Sequence, residues 1–175
     1  AYEIGVRLVG SEMCIRDSPS IMRVGIEKSR NLMTARLAMT IGMDRVQDYA
    51  KRFGLNDDLP PFLSMSLGAG ETTLLRLTSA YGMLVNGGRK ITPSLIDRIQ
   101  DRHGKTIYRH DARDCGSCVA TDGWSNQPIP TLPDMREQLT DPASAFQMVS
   151  MLEGVIKRGT GRSINDLDLV VAGKT

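Results

Sequence analysis

This chain has no surplus of charge to work with. Its 22 basic and 20 acidic side chains leave a net charge of +2. A protein that grips phosphodiester backbones concentrates basic residues on one face, so no nucleic-acid partner is expected. Two His and three Cys are too few for a Cys/His zinc module at ordinary ligand spacing, and no metal or other cofactor is expected. No apolar run approaches the ~18 residues of a membrane span. The N-terminus lacks the basic-then-apolar order of a secretory signal. An initiating Met is also missing, and the sequence stops at Lys174-Thr175. The chain therefore reads as a piece of a longer protein.

What is present is ordinary globular material. The 175 residues are 41% hydrophobic and 24% charged, which excludes bulk disorder. One domain is the expectation, and two small ones would fit. Roughly two-thirds of the unfolded surface can be buried at this size, so folding needs neither disulfide nor metal.

Residues 1–18 have no clear period and do not blend into the residues after them. They read as a non-native segment, with a short strand from Ile4 to Val9 as the other reading. Regular patterning begins near Pro19. A helical stretch over Met22–Lys28 and another over Leu32–Ile41 flank Ser29-Arg30-Asn31. Ser and Asn compete for backbone partners, so they break helices and cap them. Asp44 is a candidate cap for the next helix, whose apolar face is Val46, Tyr49, Ala50 and Phe53 and which Gly54 stops. A third helix comes after Gly68–Thr72, with Leu74, Leu77, Thr78, Tyr81, Leu84 and Val85 as its expected buried face and Gly87-Gly88 at its end.

The period then shortens. Leu95–Gln100 alternates, Asp101–Gly104 is a turn, and Thr106–Arg109 returns, which predicts a β-hairpin. Residues 111–140, with Cys115, Cys118, Trp124 and several Pro, read as an irregular surface insertion. The clearest helix comes last. Asp141 caps it, Pro142 opens it where a missing N–H costs nothing, and Ala145, Met148, Val149, Leu152, Val155 and Ile156 form one stripe. Gly159 ends it. Leu167–Ala172 is a β-branched apolar run, expected as a buried strand leading into Gly173-Lys174-Thr175.

Two short motifs could carry chemistry: Ser29-x-Asn31 and the terminal Gly173-Lys174-Thr175. Alone, each has a bland reading, a helix cap and a solvated Lys at a strand end. A phosphate-binding loop is excluded, because it needs a Gly separated by four residues from the Gly-Lys pair, and beyond Leu169–Ala172 that place is held by Asp168. The surrounding sequence is more specific. The stretches EKSRNLMTARLAMTIGM, LGAGETTLLRLTSAYGMLVNGG, SLIDRIQDRHGKTIYRHD, AFQMVSMLEGVIKRGTG and VVAGKT cover most of residues 20–175. With the order Ser-x-Asn then Lys-Thr, they resemble the transpeptidase domain of class A penicillin-binding proteins.

The resemblance implies an α/β (α+β type) fold of penicillin-binding serine transpeptidases, with helices on an antiparallel sheet and a helical subdomain carrying Ser29–Asn31. It makes 19–175 a partial transpeptidase domain and implies a peptidoglycan D,D-transpeptidase working through a serine acyl-enzyme. Ser29 would relay a proton between the catalytic base and the leaving amine. Asn31 would hydrogen-bond the catalytic Lys and the substrate backbone. Lys174 would put positive charge beside Ser29 and the substrate carboxylate, and Thr175 a hydroxyl. A cationic Lys174 would also help keep a second Lys neutral enough to act as base.

The implied partners are peptidoglycan stem peptides, with β-lactams as covalent inhibitors. The implied location is the periplasmic face of the inner membrane, with a membrane anchor and a glycosyltransferase domain elsewhere in the protein. In that oxidising setting a local Cys115–Cys118 disulfide is favoured over free thiols, half a zinc site or a redox pair. Arg158–Gly161 lies near the cleft in the family and is assigned no chemistry.

One departure matters. No Ser in these 175 residues is followed three positions later by Lys, so the nucleophile motif is not in this sequence. Losing a nucleophile lowers turnover by about a million-fold, so this polypeptide by itself is expected to be inert. The alternative for the whole protein is a catalytically silent relative that binds peptidoglycan or a partner protein in the same cleft.

Overall fold

The structure is a computed structural model that describes residues 20–111, 113, 129, 132–167 and 169–175. The readings of segment 1–18 and of Cys115, Cys118 and Trp124 fall outside these residues. Among those described are five α-helices and one antiparallel hairpin.

Helices α1 (Met22–Glu27) and α2 (Asn31–Ile41) flank the expected break. Neither Ser29 nor Asn31 caps α2: its N-cap is Arg30, whose side chain makes no capping bond, and Asn31 is its first residue. The two helices approach closely at Gly25, where a Cβ would lie 3.1 Å from Met33 Cε. Gly42, in left-handed backbone at φ 89°, turns the chain into α3 (Met43–Arg52). Asp44 is not the cap of α3 but lies in its first turn, where a carboxylate suits the positive helix end.

Helix α4 (Leu74–Val85) is capped by Thr73, whose side chain accepts from Arg76 N–H at 3.2 Å. Its buried residues are Ala80 and Met83, whereas Leu74 is 81% and Val85 72% exposed. The helical period is confirmed, but the covered face differs from the expected one. Helical spacing marks an apolar stripe and not which edge of it another element covers.

Strands β1 (Arg98–Gln100) and β2 (Thr106–Arg109) pair antiparallel with an irregularity at Ile99/Gln100. Asp101 Oδ1 accepts the N–H groups of His103 and Lys105, closing the turn, and Gly104 takes φ 81°. The end of the expected surface insertion is mostly exposed, but one side chain in it, Leu139, turns inward. Lys90 N–H donates to Glu137 O, Leu139 N–H donates to Gly88 O, and Leu139 is 1% exposed. It joins Phe53, Ala80 and Met83 in one apolar cluster. Pairing with the segment after α4 carries it inward, and no local pattern announces that.

Helix α5 (Pro142–Lys157) is the spine of the fold. Asp141 accepts from Ser144 N–H at 3.0 Å, and Pro142 is the first helical residue. Ala145, Leu152, Val155 and Ile156 are buried as expected. The helix packs on α1, on α4 and on the 3₁₀ turn Arg162–Leu167. That turn takes up part of the expected strand, and Leu169 and Val170 beyond it are 66% and 90% exposed. An apolar β-branched run becomes a strand only when another strand supplies its ladder, and none of the described residues does so. The terminal segment is instead tied to α5 by Gly173 N–H donating to Leu152 O at 3.3 Å.

Candidate active site: the Ser29 turn and the Lys174 segment

Ser29 occupies the turn between α1 and α2 at φ 52°, the one non-glycine residue in left-handed backbone among those described. That conformation costs an L-residue roughly 1–2 kcal/mol, so neighbouring contacts must hold it. Ser29 N–H donates to Ile26 O, and Arg30 N–H donates back to Gly25 O at 2.8 Å. Ser29 caps neither helix because it stands between Lys28, the C-cap of α1, and Arg30, the N-cap of α2.

The hydroxyl is met from the other end of the chain. Lys174 Nζ donates to Ser29 Oγ at 2.7 Å across 145 residues of sequence. The same ammonium donates to Thr175 O at 2.5 Å. An ammonium has three N–H donors and no acceptor, so its bond occupies a lone pair on Ser29 Oγ and leaves the hydroxyl hydrogen free for another acceptor. Thr175 Oγ1 lies 2.5 Å from Thr160 Oγ1 in the loop after α5. Asn31, exposed at the start of α2, makes no side-chain hydrogen bond to the described residues. Three expected site residues thus join one network, while Asn31 sits two residues from Ser29 on the same turn.

Residues that no sequence motif singles out support this network. Glu27, the last residue of α1, is 5% exposed. Its carboxylate accepts from Arg158 Nη2 at 2.5 Å and Nε at 3.3 Å, with Arg23 Nη1 at 3.8 Å. Donating to the Glu27 carboxylate holds the Arg158 guanidinium above its ordinary pKa. Lys28 Nζ donates to Arg158 O at 2.5 Å, and Thr160 N–H donates to Glu27 O at 3.1 Å. The i,i+4 spacing of Arg23 and Glu27 is a visible signal in the sequence, but the Arg158 partner is 131 residues away. Among the described residues no group of three His, Cys, Asp or Glu could hold a metal.

A family model for the penicillin-binding protein transpeptidase domain matches residues 14–175. The chain belongs to the penicillin-binding transpeptidase family. Penicillin-binding protein 1A of Rickettsia bellii is 46% identical over 158 residues, covering 90% of this chain and 20% of that protein. Penicillin-binding protein 1A of Neisseria meningitidis is 33% identical over 88% of the chain. The chain thus spans about a fifth of the length of the curated relatives it matches. The crystal structure of penicillin-binding protein 1A from Haemophilus influenzae aligns with TM-score 0.66 at 26% identity, over 85% of this chain and 24% of that one. The D,D-transpeptidase domain of a peptidoglycan glycosyltransferase from Eggerthella lenta shares the fold, with TM-score 0.64 at 18% identity. The mixed helix-and-hairpin architecture of this penicillin-binding transpeptidase segment is therefore that of the family.

Proposed function

We propose that this chain forms part of a serine-type peptidoglycan D,D-transpeptidase of the 1A kind and supplies two walls of its cleft. The observation that carries the reading is the 2.7 Å bond from Lys174 Nζ to Ser29 Oγ. Acyl transfer from a D-Ala–D-Ala amide needs a proton delivered to the departing amine and positive charge facing the substrate's free carboxylate. Ser29 suits the first need, because Lys174 holds its oxygen while its hydrogen stays free for transfer. Lys174 and the Thr175 hydroxyl suit the second. Asn31, open to solvent beside Ser29, is available to hydrogen-bond the substrate backbone and the catalytic amine.

In the whole protein the nucleophilic Ser and its Lys come from a Ser-x-x-Lys motif outside these 175 residues. The substrates are stem peptides, and β-lactams acylate the same nucleophile. The protein carries a glycosyltransferase domain and a membrane anchor and works on the periplasmic face of the inner membrane. These parts of the reading rest on the family.

The test is covalent labelling of the full-length protein by a fluorescent penicillin. The wild type is expected to label, and Lys174→Ala to label about a hundredfold more slowly, the loss typical of one removed transition-state donor. Undiminished labelling of that variant overturns the role of Lys174. A wild type that never labels overturns the enzyme reading in favour of a silent relative.

A further inference from the structure

We propose that Glu27 and Arg158 are positioning residues whose ion pair fixes Ser29 at its working distance from Lys174; the inference rests on the transpeptidase reading above. Glu27 is the one charged side chain buried among the described residues, and it ends the helix whose next turn carries Ser29. An ion pair with one buried and one half-exposed partner is weak evidence for added stability, because desolvation of the carboxylate offsets its attraction. What a planar guanidinium gripping a carboxylate does supply is fixed geometry.

The surroundings are shaped for that grip. A Cβ at Gly154 would run into the Glu27 carboxylate, and one at Gly159 into the Glu27 carbonyl oxygen. Gly159 is thus explained by close approach: it is not among the residues with positive φ, and α5 has already ended at Lys157. Thr160 N–H and Lys28 Nζ add two bonds between the end of α1 and the loop after α5.

The same loop touches the other wall. Thr160 Oγ1 meets Thr175 Oγ1 at 2.5 Å, and Leu152 O in the preceding helix accepts Gly173 N–H. Residues Arg158–Gly161 therefore abut both the Ser29 turn and the Lys174 segment. The Glu27–Arg158 pair locks the first of those contacts. With the pair broken, only the Thr160 and Lys28 bonds still join the Ser29 turn to that loop, and the Ser29–Lys174 distance is held less tightly.

The experiment uses the full-length protein and separates the acylation rate constant from the noncovalent dissociation constant for a fluorescent penicillin. Glu27→Gln keeps the shape of the side chain and removes its charge. Its acylation constant is expected to fall between about tenfold and a hundredfold, the effect of a misplacement near 1 Å, with the dissociation constant unchanged in the folded variant. Arg158→Lys, changed at a side chain 56% exposed, should show the same split and keeps the test usable if Glu27→Gln does not fold. An unchanged acylation constant in a folded variant overturns the proposal. So does a parallel loss of affinity and rate, which is the mark of a merely structural role or of Arg158 acting on the substrate itself. An unlabelled wild type overturns the transpeptidase reading instead, so the two failures are distinguishable.

Discussion

At Ser29 the backbone and the side chain have separable effects. Its φ of 52° is unfavourable for any residue with a Cβ, and its hydroxyl takes the Lys174 bond. Ser29→Ala and Ser29→Gly both remove that bond, but only the glycine relieves the backbone. The glycine variant is therefore expected to be more stable than the alanine variant by ~1 kcal/mol, although both lose function. Thermal unfolding of the two variants of the full-length protein checks this. Equal midpoints would mean that the turn relaxes once the hydroxyl is gone. Gly154 and Gly159 show the complementary case, in which a residue without a side chain makes room for a neighbour's carboxylate and carbonyl.

Among the elements, α5 is the most legible in the sequence because every signal agrees: an acidic cap, Pro at the first position, an apolar stripe and a basic last turn. Asp141→Ala removes the bond to Ser144 N–H and is expected to destabilise by about 1 kcal/mol. Leu139→Ala empties a site in the cluster with Phe53, Ala80 and Met83 and is expected to cost about 2–5 kcal/mol. Denaturant unfolding of both variants gives the ranking, and a Leu139 effect no larger than the Asp141 effect would mean that the cluster collapses around the gap. The contrast is instructive, since the cap is legible in the sequence and the burial of Leu139 is not. Caps are local, whereas Leu139 is buried because residues 137–140 bond to Gly88 and Lys90, about fifty positions earlier.

Over the whole molecule, much apolar surface lies open. Leu74 is 81%, Val85 72%, Leu95 102% and Val170 90% exposed. Single exposed apolar residues are common, but the Leu169–Ala172 run is also joined to no strand among the described residues. Produced alone, the 175-residue polypeptide is expected to self-associate, and Val170→Lys is expected to reduce that association, as measured by light scattering. A monodisperse monomer would show that the exposed apolar run is harmless. The same polypeptide is expected to stay unlabelled by penicillin, having no Ser-x-x-Lys.

Local sequence is enough to specify the helices, the hairpin turn, the break around Ser29 and the two short motifs, Ser29-x-Asn31 and Gly173-Lys174-Thr175. Those features depend on residues a few positions apart, and propensity and periodicity report them directly. Four features come instead from the packed molecule: the meeting of Ser29 and Lys174, the burial of Glu27 against Arg158, the covered face of α4, and the lack of a ladder for Leu167–Ala172. Each of these is a contact, or a missing contact, with something distant in the chain. A side chain's partner across 130 or more residues is set by how helices pack, as Arg158 and Lys174 illustrate.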